Sequence, residues 1–153
     1  MSKFFSINVE LDEKGIQGKI DNLIDDSVMV EIHTAFARII NDFVPYDTGN
    51  LAENDLEITK DYVRYAAEYA HYMYYGEIYG PNIPVYDSNG NIDGFFSLPD
   101  VKKKPTGRKM TFNTEKHPSA TSHWDKVAMQ TRLKLFEQEV KNILLRRAKS
   151  LYG

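Results

Sequence analysis

Val44-Pro-Tyr-Asp-Thr-Gly-Asn-Leu51 divides this chain of 153 residues into a long helical pattern before it and a strand-and-turn region after it. A proline ring fixes φ, lacks an amide proton and pushes the preceding residue out of helical backbone, so a helix arriving from upstream stops at Val44. Beyond the proline, Asp47 and Thr48 carry short polar side chains that can hydrogen-bond nearby amides, and Gly49 tolerates positive φ. Leu51 then restarts apolar packing. Pro45, Asp47, Thr48 and Gly49 are therefore read as residues that define a turn.

Upstream, apolar side chains recur at Ile20, Leu23, Ile24, Val28, Ile32, Ala35, Phe36, Ile39, Ile40 and Phe43. Spacings of three and four, sustained from Lys19 onward, predict one long amphipathic helix. Alternation over residues 4–11 predicts a half-buried strand before it, with Gly15 and Gly18 punctuating the link. Downstream, Leu56 to Lys60 and Tyr62 to Tyr65 predict two short strands joined through Lys60 and Asp61.

Seven of the ten tyrosines fall between residues 62 and 79. Tyr65, Tyr69 and Tyr72 are spaced for one face of a helical turn. Tyrosine combines a large apolar ring with a polar tip, which suits either a subunit-facing surface or the core edge of a monomer. Residues 80–118 then hold five of the six prolines, and Asn89-Gly90 between apolar residues signals a hairpin. Lys102, Lys103, Lys104, Arg108 and Lys109 place five positive charges within eight residues, ahead of an expected strand at 110–113. So long an excursion in a small domain is characteristic of either a functional or a disordered segment, and a partner that orders it would explain this one.

A second turn, Glu115-Lys-His-Pro-Ser-Ala-Thr-Ser-His-Trp124, closes this region, with His117 and Pro118 as its defining residues. Ser122 to Asp125 has the form of a capping box with Asp in the usual Glu position. A second amphipathic helix follows, its apolar stripe read as Met129, Leu133, Phe136, Val140, Leu144 and Leu151.

At this length, with 42% apolar residues, residues 1–153 make a single domain with one core. The expected fold class is α+β: a small antiparallel or mixed sheet flanked by two long amphipathic helices, with a Pro/Gly-rich loop or hairpin excursion. The absence of cysteine removes disulfides, thiolate ligands and cysteine nucleophiles. The first residues lack the apolar run of a signal peptide and no stretch is long enough to span a membrane, so the chain is expected to be soluble and unexported. Residues 1–61 carry 13 acidic and 5 basic side chains, net −8, and residues 62–153 carry 9 and 14, net +5. The two halves either meet head to tail between subunits or present differently charged helix faces to solvent.

Catalytic signatures are sparse. His33, His71, His117 and His123 form no zinc-binding spacing, and neither a phosphate-binding glycine loop nor a Gly-x-Ser-x-Gly elbow occurs. His117 and His123 flank a turn and leave a metal-dependent nuclease or hydrolase as an alternative. The basic stretch 102–109 can touch phosphates, but it is short and the sequence pI is near 5.8, so a dedicated DNA-binding surface is not expected.

The order of features resembles the tail-completion and minor capsid proteins of long-tailed bacteriophages. It runs from a long helix through Val-Pro-x-Asp-Thr-Gly-x-Leu, short strands, Tyr-Ala-x-Tyr-x-x-Tyr-Gly at 69–76 and a variable loop to His-Pro-x-Ala at 117–120 and a C-terminal helix. The resemblance spans about residues 20 to 150, and Pro105 to Arg108 and Thr121 to Trp124 are most similar to the minor capsid branch from phages of Gram-positive hosts. It implies a structural virion protein without cofactor or enzymatic activity. The implied place is the head–tail junction, assembled in the bacterial host cytoplasm, as tail terminator or tail-completion ring, or alternatively as a stopper or adaptor. The implied partners are other copies in a ring, generally six-fold, and neighbouring neck and tail-tube proteins, with DNA passing through the lumen without sequence-specific binding and no membrane. Tyr72, Tyr74, Tyr75, Tyr79, Lys102, Lys103, Lys104, Arg108 and Lys109 are the expected contact residues. Segment 80–109 departs from the family pattern by its length.

Overall fold

The computed structural model describes residues 5–7 and 23–153. Residues 4 and 8–11 of the expected strand, the glycines at 15 and 18 and the first helical positions at 19–22 lie outside them. The fold is α+β. Strands β1 (Phe5–Ile7), β2 (Leu56–Ile58) and β3 (Val63–Tyr65) form an antiparallel sheet in the order β1-β3-β2, with Phe5 and Leu56 both opposite Tyr65.

Helix α1 runs Asp26–Ile40, so residues 23–25, expected to be helical, precede it. The reason is a cap. Asp25 adopts extended backbone and its carboxylate accepts the Val28 amide at 3.0 Å and the Ser27 hydroxyl at 2.7 Å, satisfying a donor that the first helical turn leaves free. These bonds, led by the one to Val28, hold the Asp25 carboxyl below its usual range. At the other end the chain tightens through a 3₁₀ turn, Asn41–Phe43, and Val44 is extended, as the following proline requires.

Helix α1 buries a wide arc. Phe36 meets Phe136 edge to face at 5.4 Å, while the buried His33 ring sits 2.6 Å from the Thr59 carbonyl beside the sheet. Helix α3 (Trp124–Tyr152) returns antiparallel along α1. Of its residues Trp124, Ala128, Phe136 and Ile143 are buried, with Met129, Val140 and Leu144 only partly covered and Leu133 and Leu151 exposed. The apolar stripe expected from sequence thus lies to one side of the buried face, because Arg132 occupies the contact line. Its guanidinium donates to the Ile39 carbonyl and to Asp42, both at 2.8 Å, and lies over the Phe43 ring.

Three further ion pairs join the helices: Arg38–Glu139 at 3.0 Å, Arg146–Glu31 at 3.2 Å and Arg147–Asp25. Including Arg132–Asp42, three of the four set a carboxylate of the acidic half against a guanidinium of the basic half. Part of the charge asymmetry is therefore consumed within the chain. Exposed pairs of this kind contribute about 0–1 kcal/mol each, so they select register, while the buried side chains carry the stability.

The expected capping box does not form. His123 holds left-handed backbone at φ 49° and no side chain caps α3. Residues 110–113 are not a strand either. The strand is β7 (Lys104–Lys109), which pairs with β4 (Glu77–Gly80), while β5 (Ile83–Tyr86) pairs with β6 (Ile92–Phe96) around the expected Asn89-Gly90 turn. The apparent loop is a pair of nested antiparallel ladders. Prolines and a glycine disguised it, since such residues persist on edge strands and at bulges.

Gly49 has φ 88° and opens the π-helical turn Asn50–Asn54 that buries Leu51. A Cβ there would lie 2.9 Å from the Tyr46 hydroxyl. Gly49→Ala is therefore expected to lower unfolding free energy by about 1–2 kcal/mol, the cost of a side chain in left-handed backbone. A urea midpoint shift in that range, without a change in slope, is the measurement.

Candidate functional site

The two turns quoted from the sequence meet in space. The ring Nδ1 of His117 is 2.7 Å from the Val44 carbonyl, so Nδ1 carries the proton in this contact, and the Thr121 amide donates to the Phe43 carbonyl at 3.0 Å. Tyr46 meets the His117 ring at a tilt, centroids 4.9 Å apart, and the Lys116 ammonium lies 4.7 Å over the Tyr46 ring. Pro45 is buried, while Asp47, Thr48 and Pro118 are exposed. The carbonyl of Gly49 accepts the Glu53 and Asn54 amides and so closes the π-helical turn that follows it.

From this joint an aromatic series runs outward. Tyr65, at the end of β3 and not on a helical face with Tyr69 and Tyr72, meets Trp124 at 5.3 Å, and Trp124 meets Tyr74 at 5.0 Å. Tyr74 lies on α2 (Ala70–Tyr75) and contacts the rings of His123 at 4.7 Å and Tyr75 at 5.4 Å. Although expected at a contact surface, Tyr74 is only 4% exposed. It is a core residue, and the apolar run Ala66, Ala67, Ala70 around it carried that signal. Burial, then a hydrogen bond with the Asp125 carboxylate, raises its hydroxyl pKa; burial likewise raises that of Tyr65.

Three backbone groups pin the end of α2. The His123 amide donates to the Tyr74 carbonyl at 2.8 Å, the Gly76 amide to the Tyr72 carbonyl at 2.9 Å, and the Met110 amide to the Gly76 carbonyl at 2.8 Å. Gly76, at φ 65°, leaves no room for a Cβ, which would lie 2.8 Å from Ser122. The ribbon β4–β7 therefore leaves the core at a fixed point. Its root is stitched by Thr106 donating to the Ile78 carbonyl at 2.6 Å and the Gly107 amide donating to Glu77 at 3.0 Å.

The expected contact residues distribute around this root. Tyr72 and Tyr75 are exposed, and Tyr72 packs on the half-buried Tyr79 at 4.8 Å. Lys102, Lys104, Arg108 and Lys109 are exposed, and Lys103 is partly covered and donates to Asn82 at 2.8 Å. What sequence reading missed is the apolar surface of the expected hairpin, at the ribbon tip. Ile83, Val85, Tyr86, Ile92, Phe95 and Phe96 are all exposed there, Phe95 by 66%. Their alternation with turn residues was the available signal.

His117 and His123 have different partners, a backbone carbonyl for one and tyrosine rings for the other. Among the described residues no group of three His, Cys, Asp or Glu side chains is placed to hold a metal ion, and no helix is long and apolar enough to cross a membrane. No family model, curated protein or solved structure matches the chain.

Two measurements follow from the joint and the aromatic series. His117→Ala leaves the fully buried Val44 carbonyl without its donor and is expected to cost about 1–3 kcal/mol in denaturant unfolding, with His117→Asn recovering part of that through its amide donor. The raised pKa values mean that Tyr65 and Tyr74 keep their protons where unfolded tyrosine loses them. The unfolded chain then binds fewer protons than the folded one, so stability falls as pH rises past about 10. Ultraviolet titration should show these two rings ionising only on unfolding, and Tyr74→Phe should flatten the alkaline fall.

Proposed function

We propose that this chain is a structural virion protein of the bacteriophage head–tail junction, a tail terminator or tail-completion ring. The observation that carries the reading is the ribbon: a small α+β body with an anchored arm whose tip presents exposed apolar side chains among the described residues. Enzymes concentrate buried polar groups in a cleft. Here the distinctive chemistry is instead outward-facing, apolar at the tip and basic at the root, which suits contact with other subunits. The motif order Val-Pro-x-Asp-Thr-Gly, Tyr-Ala-x-Tyr and His-Pro-x-Ala supports the same reading. Ring neighbours and adjacent neck or tail-tube proteins are the partners it implies, with DNA passing without base-specific contacts.

Antibody labelling of purified particles, with native mass measurement of the chain released from them, tests the proposal. Label confined to the junction between head and tail and a closed oligomer, generally of six copies, are expected. Label at the portal-proximal side would favour the stopper or adaptor position. Absence of the chain from particles would sink the reading.

A further inference from the structure

The ribbon tip is apolar on both faces. In an antiparallel ladder, directly paired residues share a face and neighbours along a strand alternate. Ile83 pairs with Phe96 and Val85 with Gly94, which puts Ile83, Val85 and Phe96 on one face. Pro84 pairs with Phe95 and, across a bulge, Tyr86 with Ile92, which puts Tyr86, Ile92 and Phe95 on the other. A ribbon that merely covered its own core would be apolar on one face only. Among the described residues neither β5 nor β6 pairs with the three-stranded sheet or with β4 and β7.

With aromatic side chains carrying roughly 150–250 Å² each, these six residues at their exposures present on the order of 700 Å². That approaches the about 800 Å² each partner contributes to a stable, specific interface. Two-stranded ribbons are marginal in water by themselves, so a covering partner also supplies what holds this one in shape.

Charge identifies that partner. At the ribbon root Lys102, Lys104, Arg108 and Lys109 are exposed and make no ion pair among the described residues. At the opposite end of α2, exposed Asp47, Glu53, Asp55 and Glu68 are likewise outside the ion pairs. The Ala66 amide donates to the Asp55 carbonyl at 2.7 Å and the Glu53 amide to the Gly49 carbonyl at 2.9 Å, which sets this acidic segment beside the residues that lead through Glu68 and Tyr69 into α2. Helix α2 has six residues, a rise of roughly 9 Å. A basic root and an acidic patch at the two ends of one short helix are complementary between copies in a head-to-tail arrangement, the contact that closes into rings.

We propose that the ribbon docks on a second copy of this chain, its basic root against that copy's acidic patch around Tyr69 and its two apolar faces covered by the neighbouring molecule. This deepens the ring reading by naming the surface through which the ring closes. The ribbon's root and tip belong to one subunit and the acidic patch to the next. Each subunit supplies both halves.

Charge exchange tests it. One variant carries Lys102→Glu, Lys104→Glu and Arg108→Glu; the other carries Glu53→Lys and Glu68→Lys. All five positions are exposed, so unchanged circular dichroism and unfolding midpoints show that each variant is folded. By sedimentation velocity at low salt, the parent chain is expected to self-associate, and each variant alone to associate at least tenfold more weakly. An equimolar mixture should regain association in even-numbered, alternating assemblies, because each variant's root then meets a patch of opposite sign. Phe95→Asp in the parent should weaken association by a similar factor. Variants that assemble like the parent, a mixture that does not recover, or an indifferent Phe95→Asp would each overturn the proposal. So would a parent chain that stays monomeric at several hundred micromolar. In all those cases particle labelling still decides the ring reading separately.

Discussion

Two adjacent carbonyls, those of Phe43 and Val44, govern the arrangement of everything after them. They are the first acceptors beyond the helical turns that end α1, and burial removes water as their partner. Leaving such a group unpaired costs about 1–3 kcal/mol, so the chain that supplies the donors is held firmly. Those donors are the Thr121 amide and the His117 ring, both from the segment that opens α3. The end of one long helix is thereby tied to the beginning of the other. Helix α3 then runs back along α1, and each step toward the start of α1 is a step toward the end of α3. Arg132 meets Ile39 and Asp42, Phe136 meets Phe36, and Arg147 meets Asp25.

The balance of forces along that seam follows from magnitudes. Burying a ring such as Phe36 or Phe136 is worth roughly 1.5–3 kcal/mol, more than an exposed ion pair contributes. The ion pairs instead discriminate between registers: a shift of α3 by one turn would part all four while leaving much apolar contact intact. Arg132 is the exception in kind, because it satisfies a helix-end carbonyl as well as a carboxylate. The acidic and basic halves of the sequence are in this sense partly a folding device. Among the described residues, the charges at the ribbon root and on Asp47, Glu53, Asp55 and Glu68 stay outside these pairs.

The sequence disclosed the frame better than the surface. Pro45 and the three-and-four spacing of Val28 to Phe43 located α1 because a helix period and a proline stop are local signals. Its start was misplaced, since Leu23 and Ile24 continue the period while the Asp25 cap interrupts it. The Asn89-Gly90 hairpin was legible for the same local reason. The pairing of β4 with β7 was not, because it joins residues about 30 apart in the chain and Pro105 and Gly107 argued locally against a strand. Tyr74 shows the limit most clearly. Its neighbours Tyr72 and Tyr75 are exposed, and only the tertiary position of Trp124 and His123 turns that ring inward.

That inward turn bears on how the ribbon works. Tyr65, Trp124 and Tyr74 form a continuous series of edge-to-face contacts from the sheet to the last turn of α2, and the Tyr74 carbonyl accepts from the same segment that carries Trp124. The ribbon begins three residues after Tyr74, at Glu77. Its direction is therefore set by the core, while its tip owes nothing to the core for burial. Anchoring the root in the aromatic cluster places the ordering of the root within folding, while both faces of the tip stay exposed.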